Sequence, residues 1–138
     1  MTGSSSASRP ERAHILLAED HTMLRGFLEM SLTAEGFRVT AVKNGDEAHA
    51  VLENGMQADL LFSDIRMAGA LDGLQLACWV RKHRPAMAIL LQTGCTELLT
   101  GDFPVLRKPY SPAELIDAIR AALPKPWQAC AEDARSGR

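Results

Sequence analysis

Short apolar runs alternate along the chain with stretches in which apolar residues recur at helical spacing. The runs are typical of strands buried on both faces, and we expect strands at 14–18, 37–42, 59–63, 87–92 and 103–107. The helical stretches occupy 23–32, 46–52, 73–83 and 112–123. Since strands that alternate with helices pair in parallel and are covered on both sides, the pattern predicts an α/β fold with a doubly wound, five-stranded parallel sheet.

Length and composition indicate one domain between two polar tails. The chain has 138 residues, and we expect a flexible tail at 1–12, a domain at 13–123 and a second tail at 124–138. Fifteen Lys and Arg against 17 Asp and Glu give a net charge of -2, which argues against direct nucleic-acid binding and against a polybasic membrane patch. No apolar run is long enough for a membrane span or a signal peptide, so a cytoplasmic protein is expected.

Charged and polar residues follow directly on four of the predicted strands. In an open parallel sheet, the functional crevice lies at the carboxyl ends of the strands. We therefore expect these side chains to meet at one edge of the sheet. They are Glu19 and Asp20, then Asp64, Thr93 and Lys108.

This set of residue types is suited to phosphoryl transfer. Three carboxylates repel one another unless a cation joins them, and oxygen ligands that share the ion with a phosphate favour Mg²⁺. A lysine and a hydroxyl can bind a phosphoryl oxygen, and a carboxylate can be the nucleophile that becomes an aspartyl phosphate. Taken singly, the residues have simpler interpretations: Asp20 as a helix cap, Lys108 as a solvated side chain and Thr93-Gly94 as a turn.

These residues and the segments around them resemble the receiver domains of two-component response regulators. The resemblance extends over about residues 13–123 and implies a flavodoxin-like sheet with the strand order 2-1-3-4-5. Each matching piece is weak alone, but their order and spacing are specific. The pieces are ILLAED (15–20), NGDEAHAVL (44–52), DLLFSDIRM (59–67), LDGLQLA (71–77), QTG (92–94) and LRKPYSPAEL (106–115).

The resemblance implies a phosphoacceptor and a metal site. Asp64 is expected to accept the phosphoryl group from a phosphohistidine. Glu19 and Asp20 are expected to hold Mg²⁺ together with Asp64 and the backbone carbonyl of Arg66.

The resemblance also implies a switch. Thr93 is expected to hydrogen bond to the phosphoryl oxygen and Lys108 to form an ion pair with it, supported by Gly94 and Pro109. Pro109 follows the lysine as is typical of the family, and it often forms a cis bond there.

Four departures from the family pattern bear on these roles. The usual proline after the D-x-x-M run is Ala68 here, and the loop that follows it is one residue longer. Only 14 residues lie between the threonine and the lysine, so the fourth helix should be truncated, irregular or absent. The usual aromatic switch position is Val105, and the first acid is Glu19 in place of Asp. The short segment resembles a subgroup of mostly single-domain receivers that lack this helix and this aromatic residue.

The expected function is therefore that of a phosphorelay receiver, not an enzyme. Its partners would be a sensor histidine kinase or a histidine phosphotransfer protein, and a downstream protein. Only 15 residues follow 123, so no output domain is expected, and the chain should be a monomer or a weak homodimer. A receiver excised from a hybrid histidine kinase is the alternative. An Asp-nucleophile phosphatase is a further one, although position 66 is Arg where that group has a second acid.

Overall fold

The computed structural model describes residues 12–67, 69–94 and 103–123. Five strands in this part of the chain form one parallel sheet with the order β2-β1-β3-β4-β5, which confirms the predicted topology. The strands are β1 (His14–Ala18), β2 (Arg38–Val42), β3 (Leu60–Asp64), β4 (Ala88–Thr93) and β5 (Val105–Arg107). The helices are α1 (Thr22–Ala34), α2 (Gly45–Glu53), α3 (Gly73–His83) and α4 (Pro112–Ala122).

Side chains of the central strands alternate between two cores, one on each face of the sheet. Leu16 and Leu61 pack with α2 and α3, on what we call the α2–α3 face. Leu17 and Phe62, their neighbours in the chain, pack with α1 and α4 on the α1–α4 face. All four side chains are fully buried, as expected for parallel strands with both faces covered.

Side-chain caps fix the start of each helix. Ser111 and Glu114 form the predicted capping box at α4, and Asp72 forms another with Gln75 at α3. The interpretation of Asp20 as a helix cap is wrong, because the ring of His21 accepts the hydrogen bond from the Leu24 amide at the start of α1. Asp20 lies before this cap, at the carboxyl end of β1.

The last predicted strand is shorter in the structure, and three other predicted segments lie outside the described residues. The last strand contains only residues 105–107, and Phe103 before it is buried instead on the α2–α3 face. The guanidinium of Arg81 lies 4.0 Å from the centre of the Phe103 ring. The segment 95–102, where the fourth helix was expected to be truncated, irregular or absent, lies outside the described residues, as do 1–11 of the predicted tail at 1–12 and the whole tail at 124–138.

No helix within the described residues is both long and apolar enough to cross a membrane.

The start of α3 packs directly against the end of β3. A Cβ atom on Gly73 would lie 1.9 Å from the backbone oxygen of Asp64. The Gly73 amide also donates to the carbonyl of Ile65 at 2.8 Å, so the helix cannot move away without losing this bond. The absence of a side chain at position 73 is therefore a condition for placing Asp64.

We expect Gly73→Ala to destabilise the protein by about 1–3 kcal/mol or more, because the added methyl group overlaps backbone that is itself hydrogen bonded. Urea denaturation measures the effect. Gly26→Ala is the matched control, since nothing lies within 4 Å of a Cβ there and the residue is inside α1. The control should stabilise by about 0.5–1 kcal/mol through helix propensity, and equal effects of the two changes would contradict the packing argument.

Candidate functional site

The strand register brings the predicted site residues to one edge of the sheet. Ala18 is paired with Ser63, so Glu19, just after β1, and Asp64, the last residue of β3, lie at the same level. Asp64 is paired with Gln92 on its other side, and Thr93 is paired with Arg107, the residue before Lys108. The polar residues thus form a row across four strand ends, as the sequence predicted.

The three acids lie close enough for one ion to contact them all. Carboxylate oxygens of Glu19, Asp20 and Asp64 lie within 4.8 Å of one another. Glu19 is 1% exposed, Asp64 is partly buried and Asp20 is exposed, so the cluster opens to solvent on one side. Oxygen ligands in this number fit a hard cation such as Mg²⁺, with the remaining positions left to water or phosphate.

Burial makes the charge on Glu19 costly. Desolvation raises the pKa of Glu19 above its ordinary value of 4.5, and the charge on Asp64 adds to the rise. The His21 amide, which donates to Glu19 Oε2 at 3.1 Å, and the charge on Lys108 oppose it. The carboxylate is held in place by these bonds while it still lacks a full counter-charge.

Lys108 supplies the positive charge at the centre of the site. Its Nζ lies 2.8 Å from Asp64 Oδ2, and both side chains are partly buried. The Lys108 amide donates to the carbonyl of Thr93 at 2.8 Å, which fixes the start of the side chain beside β4. The Lys108–Pro109 peptide bond is cis, as the resemblance suggested.

A cavity opens in front of Asp64. It has a volume of about 350 Å³ and is lined by Asp64, Arg66, Thr93 and Gly94. The Arg66 amide donates to Asp64 Oδ1 at 3.3 Å, and the Arg66 side chain is exposed. Its carbonyl as a metal ligand stays a prediction. The cavity is wide enough for a small anion to reach the carboxylate from solvent.

Sequence reasoning missed two residues of the site. Gln92 is fully buried, and its Nε2 donates to Glu19 Oε1 at 2.9 Å. The hydroxyl of Tyr110 donates to Gln92 Oε1 at 2.5 Å. The detectable signal was a glutamine at the end of an apolar strand, since a buried amide requires partners.

The fold and the acidic edge together define a class of doubly wound domains that carry a carboxylate cluster and a lysine at the carboxyl ends of their strands. A family profile described as "Response regulator receiver domain" matches residues 15–120. The chain belongs to the response regulator receiver domain family.

The relatives of this chain include two longer proteins and a protein of known structure. Transcriptional regulatory protein GlrR of Escherichia coli (strain K12) is 35% identical over 118 residues, which are 80% of this chain and 26% of GlrR. Protein PetR of Rhodobacter capsulatus is 36% identical over 125 residues, 86% of this chain and 50% of PetR. The chain therefore spans about a quarter to a half of these relatives. The crystal structure of a response regulator receiver protein from Sinorhizobium medicae WSM419 is 37% identical with a TM-score of 0.75, covering 81% of this chain and 94% of that one.

The electrostatics of Glu19 generate a stability prediction. In the presence of a chelator, we expect Glu19→Gln to stabilise the protein at neutral pH by about 1 kcal/mol, or about 4 °C in Tm, because a buried charge is removed. Since the folded-state pKa of Glu19 is raised, the wild type loses stability as the pH rises through that value. The gain of the variant should therefore be absent below about pH 4.5 and grow above it.

Thermal unfolding from pH 4 to pH 8 measures this dependence. Glu29→Gln is the matched control, because Glu29 is an exposed glutamate of α1. A Tm gain for Glu19→Gln that does not change with pH, or that Glu29→Gln reproduces, would contradict the argument.

Proposed function

We propose that the chain is a phosphoacceptor in a two-component phosphorelay, and that Asp64 takes a phosphoryl group from a phosphohistidine of a sensor histidine kinase or a histidine phosphotransfer protein. The observation that carries this proposal is the position of Asp64, which lies in reach of two other carboxylates and 2.8 Å from Lys108 at the mouth of a cavity. Phosphoryl transfer requires a nucleophile, a cation that pairs with the phosphoryl oxygens, and an open path to the nucleophile.

Each side chain of the site would have its own role in the phosphoryl transfer. An oxygen of Asp64 attacks phosphorus, and the bond from phosphorus to the imidazole nitrogen breaks with its electron pair going to that nitrogen. Because the other ring nitrogen of the phosphohistidine carries a proton, the histidine leaves as a neutral imidazole. Lys108 then pairs with a phosphoryl oxygen, and the hydroxyl of Thr93, at the wall of the cavity, donates to another. The product is an aspartyl phosphate, and the protein catalyses no turnover of its own.

Mg²⁺ fits the acidic cluster as the cofactor of this transfer. Glu19, Asp20 and Asp64 would hold the ion, together with the backbone carbonyl of Arg66. A bound divalent cation offsets the repulsion between these carboxylates and the incoming phosphoryl oxygens. The gap of at most 4.8 Å between the ligand oxygens supports this assignment.

Phosphorylation would change a protein-binding surface. The added charge draws Thr93 and Lys108 toward the phosphoryl group and shifts the population between two arrangements of the segments that carry them. Among the described residues, the surface that follows comprises β5 and α4; the segment 95–102, which the sequence also indicated, lies outside them. Val105, in β5, is a small aliphatic side chain that is partly buried on the α2–α3 face.

An exposed apolar stripe on α1 supports docking of the phosphodonor there. Met23, Phe27 and Met30 are 79%, 48% and 66% exposed and recur at positions that share one side of the helix. The helix begins two residues after Asp20, so a protein seated on the stripe reaches the acidic site. Exposed apolar side chains grouped in this way are typical of interaction surfaces, and Met adapts to a partner helix.

The phosphoacceptor role predicts a covalent adduct. After incubation with acetyl phosphate and Mg²⁺, intact-mass spectrometry should show one phosphoryl group on the wild type and none on Asp64→Asn. A chelator should prevent the reaction.

Asp117→Asn is the matched control, because Asp117 is an exposed acid of α4 away from the strand ends. This variant should be modified like the wild type. An adduct that persists on Asp64→Asn would sink the assignment of the nucleophile.

The docking surface predicts a separate defect. With the histidine kinase that phosphorylates the wild type fastest, Phe27→Gln should slow phosphotransfer by roughly tenfold or more, because an aromatic contact at an interface contributes about 2 kcal/mol. Modification by acetyl phosphate, which needs no docking, should keep its rate.

Glu29→Gln changes an exposed residue of the same helix and serves as the control. If Phe27→Gln slows both phosphodonors equally, the residue acts on the site and not on docking.

A further inference from the structure

Gln92 joins two parts of the molecule that lie far apart along the chain. It is fully buried near the end of β4, and its side chain contacts Glu19, 73 residues away in the chain, and Tyr110, 18 residues away. Its neighbour Leu90 packs on the α1–α4 face, and the period of two along a strand puts the Gln92 side chain on the same face. Tyr110 packs against this core as well.

The chemistry of the partners gives the hydrogen bonds a direction. A carboxylate only accepts, so the amide must present its NH₂ group to Glu19 and its oxygen to Tyr110. Burial, together with the charges of Glu19 and Asp64, raises the pKa of Tyr110, so its hydroxyl keeps the proton that it donates. The chain of donors therefore runs one way, from Tyr110 through Gln92 to Glu19.

Tyr110 lies where a small displacement of its side chain would be transmitted to the start of α4. It lies between the cis Lys108–Pro109 bond and Ser111, the cap of α4. The hydrogen bond from its hydroxyl ties the start of α4 to β4. The side chain of Val105, on the opposite face of the sheet, has no polar atom that could form a hydrogen bond with the site.

We propose that Gln92 is a positioning residue that couples the metal-binding carboxylate Glu19 to Tyr110, so that occupancy of the acidic cluster is communicated through two hydrogen bonds to the start of α4. This inference rests on the proposed Mg²⁺ site. A Glu19 carboxylate that also holds a cation is a weaker acceptor for the Gln92 amide, and the change passes along the chain because linked hydrogen bonds polarise one another.

The coupling works in both directions. If metal at Glu19 weakens the bond of Tyr110, then that bond weakens the affinity for metal by the same factor. Gln92 also orients a ligand carboxylate, and loss of such a partner lowers metal affinity by about tenfold or more. The α4 surface and the acidic cluster thereby become two linked sites.

The test uses the fact that Tyr110 is the only tyrosine of the chain. The full chain is labelled with ¹³C-tyrosine, and the ring ¹³C–¹H signal of Tyr110 is followed by NMR during a titration with MgCl₂. In the wild type the signal should shift and saturate with the metal. In Gln92→Met, which keeps the volume but breaks both bonds, the shift should fall by at least half and Mg²⁺ binding should weaken about tenfold.

The controls distinguish an effect of the two Gln92 hydrogen bonds from an effect of core repacking and from the electric field of the ion acting through space. Leu90→Met changes the same face of β4 two residues earlier and should keep both the shift and the affinity. An unchanged Tyr110 response in Gln92→Met would show a through-space effect and overturn the inference while leaving the metal site intact. Failure of the wild type to bind Mg²⁺ at all would remove the proposed metal site and the inference with it.

A second variant covers the case in which Gln92→Met does not fold. Tyr110→Phe leaves the bond between Gln92 and Glu19 in place and removes only the hydroxyl. Because a cation at Glu19 weakens this chain of hydrogen bonds, reciprocity requires that loss of the hydroxyl tighten Mg²⁺ binding, measured by titration calorimetry, by about fivefold. An affinity equal to that of the wild type would overturn the coupling.

Discussion

The repulsion between Glu19, Asp20 and Asp64 is the constraint that organises the carboxyl edge of the sheet. These acids lie within reach of one ion, and Glu19 is almost wholly removed from water. Like charges this close cannot all be held without compensation. The protein supplies one cation at Asp64 through Lys108 and two hydrogen-bond donors to the Glu19 carboxylate, and it leaves the exposed side of the cluster open.

The supports of Glu19 come from two elements, α1 with its cap and β4, and each element links the acid to a different part of the fold. The His21 amide belongs to the cap of α1, whose exposed stripe we assign to the phosphodonor. The Arg25 guanidinium donates to the Glu19 carbonyl at 2.9 Å from the next turn of that helix. Gln92 connects the carboxylate to β4 and Tyr110. In the proposed coupling, a change of charge in the cluster would therefore act both where the donor would dock and where α4 begins.

The sequence predicted those site residues whose position follows from a strand end alone. Asp64, Thr93 and Lys108 stand directly after apolar runs, and parallel strands bring such positions to one edge whatever the register of the helices. The pair of Gln92 and Tyr110 could not be found in this way. Their contact depends on how β5 pairs with β4 and on how the chain turns at Pro109, and neither is written in a local pattern.

The helix caps show the same limit in a different form. Asn44, Asp46 and Asp20 are all good caps by residue type, but only the backbone geometry decides which one is used. Asn44 caps α2, and the carboxylate of Asp46 instead accepts from the Ala70 amide at 3.2 Å, across the loop that follows β3. Residue type alone therefore predicts more of these polar residues to be helix caps than the fold uses as caps.

In the proposed phosphoacceptor role, Lys108 is the residue through which the site would change state. Its side chain pairs with Asp64, and its amide is bonded to Thr93, so the strand ends of β3, β4 and β5 meet at one residue. A phosphoryl group on Asp64 replaces one carboxylate oxygen as the partner of the ammonium with several phosphoryl oxygens farther from the backbone, and the lysine must follow them. Because Pro109 and Tyr110 continue directly from Lys108 into the cap of α4, this displacement and the hydrogen-bond chain through Gln92 converge on the same turn of the helix. Two weak couplings that act on one element add their free energies, and a few kcal/mol suffice to exchange a minor conformation for the major one.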